Sequence, residues 1–199
     1  MANFTEKDLA VFDSLAEECL DIFDNRPTTN VSEIALEMMN REDVPMHFPF
    51  HHFIIPAALL TACAAARGDS RERLAEMLQS AKERSKNVLG GFCGFYGTCG
   101  AGVGAGIFMS VYTDTSPMSD TTWSWGNEIT GLCLTRISEI PGPRCCKRTA
   151  FLSLSTAVPY INEKLGTSLS FNEDQKCSFH ERNQQCKGRL CPFFPGKAG

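Results

Sequence analysis

Residues 53–66 read FIIPAALLTACAAA, a stretch of fourteen residues without a charged side chain. A transmembrane helix needs about 20 such residues, so this stretch predicts a helix buried in a protein core and not a membrane span. Gly68 follows at the position where glycine commonly ends a helix. The stretch therefore indicates an all-α fold with an apolar helix from about residue 53 to 67 inside it.

The flanking sequence also carries helical patterns. Apolar residues recur at helical spacing after the capping-type sequence Thr5-x-x-Asp8, and Ser70 opens an amphipathic segment. Residues 99–112 fit either a helix with small residues on one face or an extended loop. The segments predict an irregular multi-helix bundle with helices at about 6–24, from Asn30 or Ser32 onward, 53–67, 70–89, from Ser119 or Asp120 to about 140, and 144–165.

A chain of 199 residues has the length of one domain. We divide it into a helical scaffold (1–89), a Gly/Cys-rich helical core with a glycine-rich cysteine loop (90–166) and an irregular cysteine-rich tail (167–199). No Lys or Arg occurs between Asn87 and Thr135. Because charged residues are seldom buried, we expect this weakly charged stretch to be largely interior.

Charge and cysteine content narrow the function classes. A formal net charge of -4 argues against a nucleic-acid binder that uses a broad basic face. No signal peptide and no membrane span are visible, so we expect a cytoplasmic protein that does not engage membranes. Thiols stay reduced in the cytoplasm, so ten cysteines favour metal ligation or thiol chemistry over disulfides.

The strongest metal-site pattern lies in the tail, where the sequence reads Cys177-x8-Cys186-x4-Cys191-Pro192. Loop-borne thiolates can converge on one metal, and soft sulfur ligands favour an iron–sulfur cluster or zinc. A Cys-Pro pair also ends the bacterial ferredoxin run. Basic residues nearby would offset the negative charge of such a centre. We therefore predict an iron–sulfur cluster first and zinc second, held by these three cysteines.

A four-ligand centre needs one more donor. Cys146 is assigned as the fourth metal ligand, with its neighbour Cys145 as an equivalent candidate, and Cys93 and Cys99 are assigned as cofactor-binding residues. The fourth position could instead stay open for substrate. A further alternative has two sites, one in the tail and one formed by Cys93, Cys99 and the Cys145-Cys146 pair.

Cys145 and Cys146 are also candidate catalytic thiols. They follow Pro141-Gly-Pro143 and should lie in the first turn of a helix, where free N–H groups stabilise a thiolate. The basic residues beside them should lower the pKa further. Such a cysteine suits a nucleophile, a persulfide carrier or a metal ligand.

Other polar residues carry weaker signals. His47, His51 and His52 lie around Phe48-Pro49-Phe50 and fit either a structural role or a site role, and His180 lies within the tail cysteine run. The run Gly100–Gly106 lacks the strand and the Lys-Ser/Thr pair of nucleotide-binding loops. Three cysteines on apolar helix faces are expected to be core residues: Cys19, Cys63 and Cys133.

Three stretches together resemble a known family: residues 91–106, Pro141-Gly-Pro-Arg-Cys-Cys-Lys-Arg148, and residues 177–194. They are similar to an uncharacterised cysteine-rich domain family of anaerobic bacteria and archaea, sometimes attached to methyltransferase domains. The resemblance implies no established activity. It does imply a reducing, oxygen-poor cytosol, which suits an oxygen-sensitive centre.

Two hypotheses follow. In the first, the protein uses its thiolate-ligated centre for redox, sulfur-transfer or methyl-transfer chemistry on a small-molecule substrate. In the second, it is a non-enzymatic module with structural zinc that docks on a partner enzyme. A metal-free thiol enzyme is a third reading.

Overall fold

The chain is built from helices in its computed structural model, which describes residues 4–196. Within that range it forms eight α-helices, one 3₁₀ turn and no β-strand, which confirms the predicted all-α multi-helix bundle. The elements are α1 (Glu6–Asn25), α2 (Val31–Asn40), α3 (Phe50–Arg67), α4 (Arg71–Lys86), α5 (Phe92–Phe95), α6 (Gly100–Tyr112), α7 (Thr121–Ser138), α8 (Cys146–Leu165) and the 3₁₀ turn Gly188–Leu190.

Helix α3 is the central element and packs against α1, α2, α4, α6 and α8. Every residue from Phe53 to Ala64 is buried. The helix begins at Phe50, three residues before the predicted start, and ends at Gly68, whose φ of +69° is left-handed. It is long and apolar enough to cross a membrane, but 78% of that window is buried inside the bundle. This is the position of a core helix.

Side-chain caps fix the starts of α1 and α4. The Thr5 hydroxyl accepts the Asp8 N–H at 3.2 Å, and the Asp8 carboxylate accepts the Thr5 N–H at 2.9 Å. The Ser70 hydroxyl accepts the Arg73 N–H at 3.2 Å. Each bond satisfies an N–H that has no partner within its helix, so the predicted starts are confirmed.

The glycine-rich stretch forms helix α6, which resolves the choice between helix and loop. A Cβ atom at Gly104 would lie 2.9 Å from the His52 carbonyl oxygen and 3.0 Å from Ile55 Cβ. Only a residue without a side chain allows α6 to approach α3 so closely. This approach brings the N-terminus of α6 against the N-terminal turn of α3.

The expectation that residues 87–135 are largely interior is wrong for α7. Only Ile129 and Cys133 of this helix are buried, and Trp123 is 51% exposed. The helix contains Thr, Ser, Asn and Gly, which carry no charge but are commonly exposed to solvent. A scarcity of charge therefore did not identify a buried surface.

The C-terminal loops pack on α8 through aromatic rings. The Phe151 ring on α8 lies 5.2 Å from the Phe193 ring, measured between centroids. The Cys177 N–H donates to the Phe193 carbonyl at 2.7 Å, and a parallel bridge joins Asn30 to Ser170. These contacts hold the tail cysteines against the first half of α8.

Candidate metal centre and thiol pocket

Seven of the ten cysteines lie in two groups around the first turn of α8. The first group lines one small cavity of about 10 Å³ between α8 and the C-terminal loops, and its members are Cys145, Cys177, Cys186 and Cys191. We call this space the tail thiol cavity. The structure thus brings the three tail cysteines of the predicted metal site together, with Cys145 as the fourth thiol.

Local backbone structure positions these four residues. Cys145 is the N-cap of α8, with an extended backbone that precedes the helix. Cys177 is fixed by its hydrogen bond to Phe193. Cys186 closes a hydrogen-bonded turn, and Cys191 directly follows the 3₁₀ turn. Short turns and a helix start therefore direct thiols from distant parts of the sequence to one place.

Every sulfur in the tail thiol cavity faces a backbone N–H. The Cys186 sulfur accepts from the Gly188 N–H at 3.4 Å, and the backbone N–H groups of Phe179 and Phe193 lower the pKa of Cys177 and Cys191. The Cys145 sulfur accepts from the Arg148 N–H at 3.4 Å. Hydrogen bonds to sulfur favour the thiolate form and are a means by which proteins tune iron–sulfur clusters.

Burial raises the pKa of two of these thiols, Cys177 and Cys191. Burial raises the pKa of Cys177, and the nearby thiols of Cys145, Cys191 and Cys186 raise it further, against the hydrogen bond from Phe179. Four neighbouring thiolates repel one another unless a cation compensates their charge. Metal binding at this site would therefore release protons.

Two buried cations lie beside the tail thiol cavity. Lys147 is 1% exposed and Arg148 is 5% exposed, and neither forms an ion pair with a carboxylate among residues 4–196. The Lys147 ammonium donates to the Met39 carbonyl at 2.8 Å and lies 4.6 Å from the centre of the Phe179 ring. Burial lowers its pKa to about 8. Buried cations require compensation, and the adjacent thiols are the groups that can provide it.

The second group lines a larger cavity of about 440 Å³, and its members are Cys93, Cys99 and Cys146. We call this space the thiol pocket. Its charged lining residues are Arg144 and Arg148, and no Asp or Glu of the described chain lines it. Arg148 also lines the tail thiol cavity, so one guanidinium faces both groups of cysteines.

The two consecutive cysteines at the start of α8 serve different cavities. Cys146 lines the thiol pocket, and the tail thiol cavity to which we assigned it contains Cys145 instead. Cys145 has an extended backbone before the helix and Cys146 is the first helical residue, so the two side chains leave the backbone in different directions. The cavity linings therefore favour Cys145 over Cys146 as the fourth residue of the tail set.

The expected low pKa of Cys146 is corrected. Burial raises its pKa to about 12, and the neighbouring Cys99, Cys145 and Cys93 thiols contribute to that rise. Arg144 lowers the pKa of Cys146, but this effect is smaller than that of burial. Position at a helix start thus does not outweigh loss of water around this thiol.

His47 connects the thiol pocket to the tail. Its Nε2 bonds to the Gln185 side-chain oxygen at 2.8 Å, which leaves Nδ1 to accept the Cys146 N–H at 3.5 Å. His180 lines the tail thiol cavity, and its Nδ1 bonds to the Cys177 carbonyl at 3.2 Å.

His51 and His52 both line the thiol pocket. In each, Nδ1 bonds to a backbone carbonyl, that of Phe48 at 2.9 Å and that of Val88 at 2.8 Å. The N–H is therefore on Nδ1, and Nε2 carries a free lone pair. His51 Nε2 is buried without a hydrogen-bond partner, and burial lowers the pKa of His51 to about 3.

The three remaining cysteines line neither cavity. Cys19, Cys63 and Cys133 are fully buried core residues, as predicted. No group of three or more His, Cys, Asp or Glu side chains within residues 4–196 is arranged to hold a single metal ion. The sulfurs thus face shared cavities without already surrounding one point.

A family model described as "Family of unknown function (DUF5714)" matches residues 19–194. The chain belongs to this family. The matched region contains all seven cysteines of the two cavities. No curated protein and no solved structure matches the chain.

Sequence reasoning missed three polar residues in this member of the DUF5714 family. Asn183 donates its side-chain N–H to the Cys145 sulfur at 3.3 Å. Gln185 fixes His47, and the Thr149 hydroxyl faces the Cys99 sulfur. The first two lie within the tail cysteine run, which was the available signal. Nothing in the sequence marked Thr149.

Proposed function

We propose that this protein binds an iron–sulfur cluster through Cys145, Cys177, Cys186 and Cys191. The cluster serves redox, sulfur-transfer or methyl-transfer chemistry on a small molecule held in the thiol pocket, in the cytoplasm. One observation carries the proposal: four thiols from separate parts of the chain line one cavity, and each faces a backbone N–H.

The charges around the cavity support an anionic centre. A metal centre with four thiolate ligands carries net negative charge, and Lys147 and Arg148 are buried there without a carboxylate partner in the described chain. Without an anion, these cations would make the region costly to bury. Lys147 and Arg148 would therefore stabilise an anionic centre and favour its position next to them.

Four cysteine ligands are the usual set for an iron–sulfur cluster. Zinc requires its sulfurs about 2.3 Å from one point, whereas the cysteines of a cluster are divided among two or four irons, so that the sulfurs lie farther apart. The tail thiol cavity offers four cysteines for such a centre. A bound cluster would supply a redox centre whose potential depends on the surrounding hydrogen bonds and charges.

The thiol pocket gives the small molecule a place beside the centre. Arg148 lines both cavities, and Arg144 adds positive charge to a pocket without acidic lining residues in the described chain. Leu134, Ile137 and Ile140 provide an apolar wall. These residues would bind and orient a molecule that combines an anionic group with an apolar part.

A structural zinc site is the second candidate, and the size of the tail thiol cavity favours it. About 10 Å³ accommodates roughly one small atom, and structural zinc sites are closed and four-coordinate. The protein would then be a non-enzymatic module that docks on a partner enzyme. Chelation would unfold it.

Anaerobic purification with iron, sulfide and zinc analysis tests the proposal. We expect iron and sulfide, an absorbance band near 400 nm that is lost in air, and severe loss of iron in Cys186→Ser. Cys63→Ala removes a core thiol and is the matched control. Zinc in place of iron would select the second candidate. Absence of both metals would overturn the proposal. The anaerobic setting and the link to methyltransferases stay predictions.

A further inference from the structure

The thiol pocket contains three cysteines that the proposed tail centre does not use. Cys93 comes from α5, Cys99 from the start of α6 and Cys146 from the start of α8, and all three line the same cavity. Each influences the ionisation of another through its charge, which requires proximity. Three distant segments therefore converge on a second set of thiols.

Two helix N-termini meet at these sulfurs. Cys99 is the N-cap residue of the 13-residue helix α6, without a side-chain capping hydrogen bond. Cys146 is the first residue of the 20-residue helix α8. Burial raises the pKa of both thiols despite these helix ends, so a metal ion that binds there would displace their protons.

The thiol pocket has positively charged lining residues but no negatively charged ones. The charged residues are Arg144 and Arg148, and no Asp or Glu from residues 4–196 lines the pocket. His51 is 1% exposed, lines the pocket, and has no partner for its Nε2 lone pair. A buried acceptor without a donor is uncommon in folded proteins, and among the described residues no donor reaches this Nε2.

We infer that Cys93, Cys99 and Cys146 form a second thiolate site for a thiophilic metal ion or cluster, whose remaining coordination position faces the 440 Å³ cavity. Three protein ligands with an open position are typical of catalytic metal sites, whereas four closed ligands are typical of structural ones. The three sulfurs line one cavity without surrounding a single point, so metal binding requires their side chains to rotate toward the metal. This inference does not depend on whether the tail thiol cavity contains a metal.

Anaerobic titration of the reduced, metal-free protein with Cd²⁺ tests the inference. We follow the thiolate-to-cadmium absorbance and the bound cadmium. We expect about two equivalents for the wild type and about one for the Cys93→Ser/Cys99→Ser double variant. The Cys186→Ser/Cys191→Ser variant should also bind about one, and Cys63→Ala about two. Retention of only the pocket equivalent in the wild type would refute the tail centre and support the present inference.

Protection from alkylation provides a second test that needs no variant. Cadmium at the pocket should slow alkylation of Cys93 and Cys99 by iodoacetamide at least tenfold, as measured by peptide mass spectrometry. Equal alkylation rates with and without cadmium would overturn the inference. So would two full equivalents in the folded Cys93→Ser/Cys99→Ser variant.

Discussion

The close approach of α6 to α3 predicts opposite effects for the same substitution at two glycines. At Gly104→Ala, the new methyl group would lie 2.9 Å from the His52 carbonyl oxygen and 3.0 Å from Ile55 Cβ. At Gly131→Ala on α7, nothing lies within 4 Å of the new atom. Both sites are inside helices, so helix propensity rises equally in the two variants and only packing differs.

The magnitudes follow from those contacts. Alanine favours a helix over glycine by about 1 kcal/mol, so Gly131→Ala should raise the free energy of unfolding by up to that amount. Overpacking costs about 1–3 kcal/mol, so Gly104→Ala should lower it by up to about 2 kcal/mol after the same gain. The difference of about 1–3 kcal/mol corresponds to roughly 0.5–1.5 M urea between the two midpoints.

Urea unfolding followed by circular dichroism measures this difference. Both variants must contain the same amount of metal, because ligand binding shifts apparent stability. Gly104→Ala should also loosen the start of α6 and speed alkylation of Cys99. Equal midpoint shifts of the same sign would refute the account of α6 packing.

Three further predictions test charge, hydrogen bonding and pH. Arg148→Met should lose metal to a chelator several times faster than the wild type, whereas Arg189→Met, which removes an exposed charge, should leave that rate unchanged. Tyr160→Phe removes a 2.6 Å hydrogen bond to Glu128 and should lower the free energy of unfolding by about 1 kcal/mol in urea titrations. Acid should destabilise the fold from about pH 6 downward, because burial holds the pKa of His51 at about 3 while the unfolded chain binds a proton near 6.5. His51→Gln should flatten the pH dependence of urea midpoints between pH 6 and 4, and an unchanged slope would contradict this explanation.

Local signals in the sequence were sufficient for most helices. Thr5, Ser70 and Gly68 act through bonds or backbone angles of adjacent residues, so a short window contains the whole cause. The exposure of α7 depends on how many neighbours cover it, and no short window reports that. Its uncharged residues were therefore misread as interior.

The same difference between local and long-range causes applies to the candidate site. Cysteine spacing and turn-forming residues identified the tail set, since short loops bring nearby thiols together. Which of Cys145 and Cys146 joins that set depends on the rotation of α8 against the tail, a long-range property. The raised pKa of Cys146 likewise follows from burial by α6 and its loop, which outweighs the helix start visible in the sequence.

The first turn of α8 places two consecutive residues in separate compartments. One peptide unit therefore lies between the sulfur of Cys145 and that of Cys146, with the Arg148 side chain alongside. If both compartments fill, the two centres would be joined through this short stretch of backbone. An electron would also have a covalent route of only a few bonds between them.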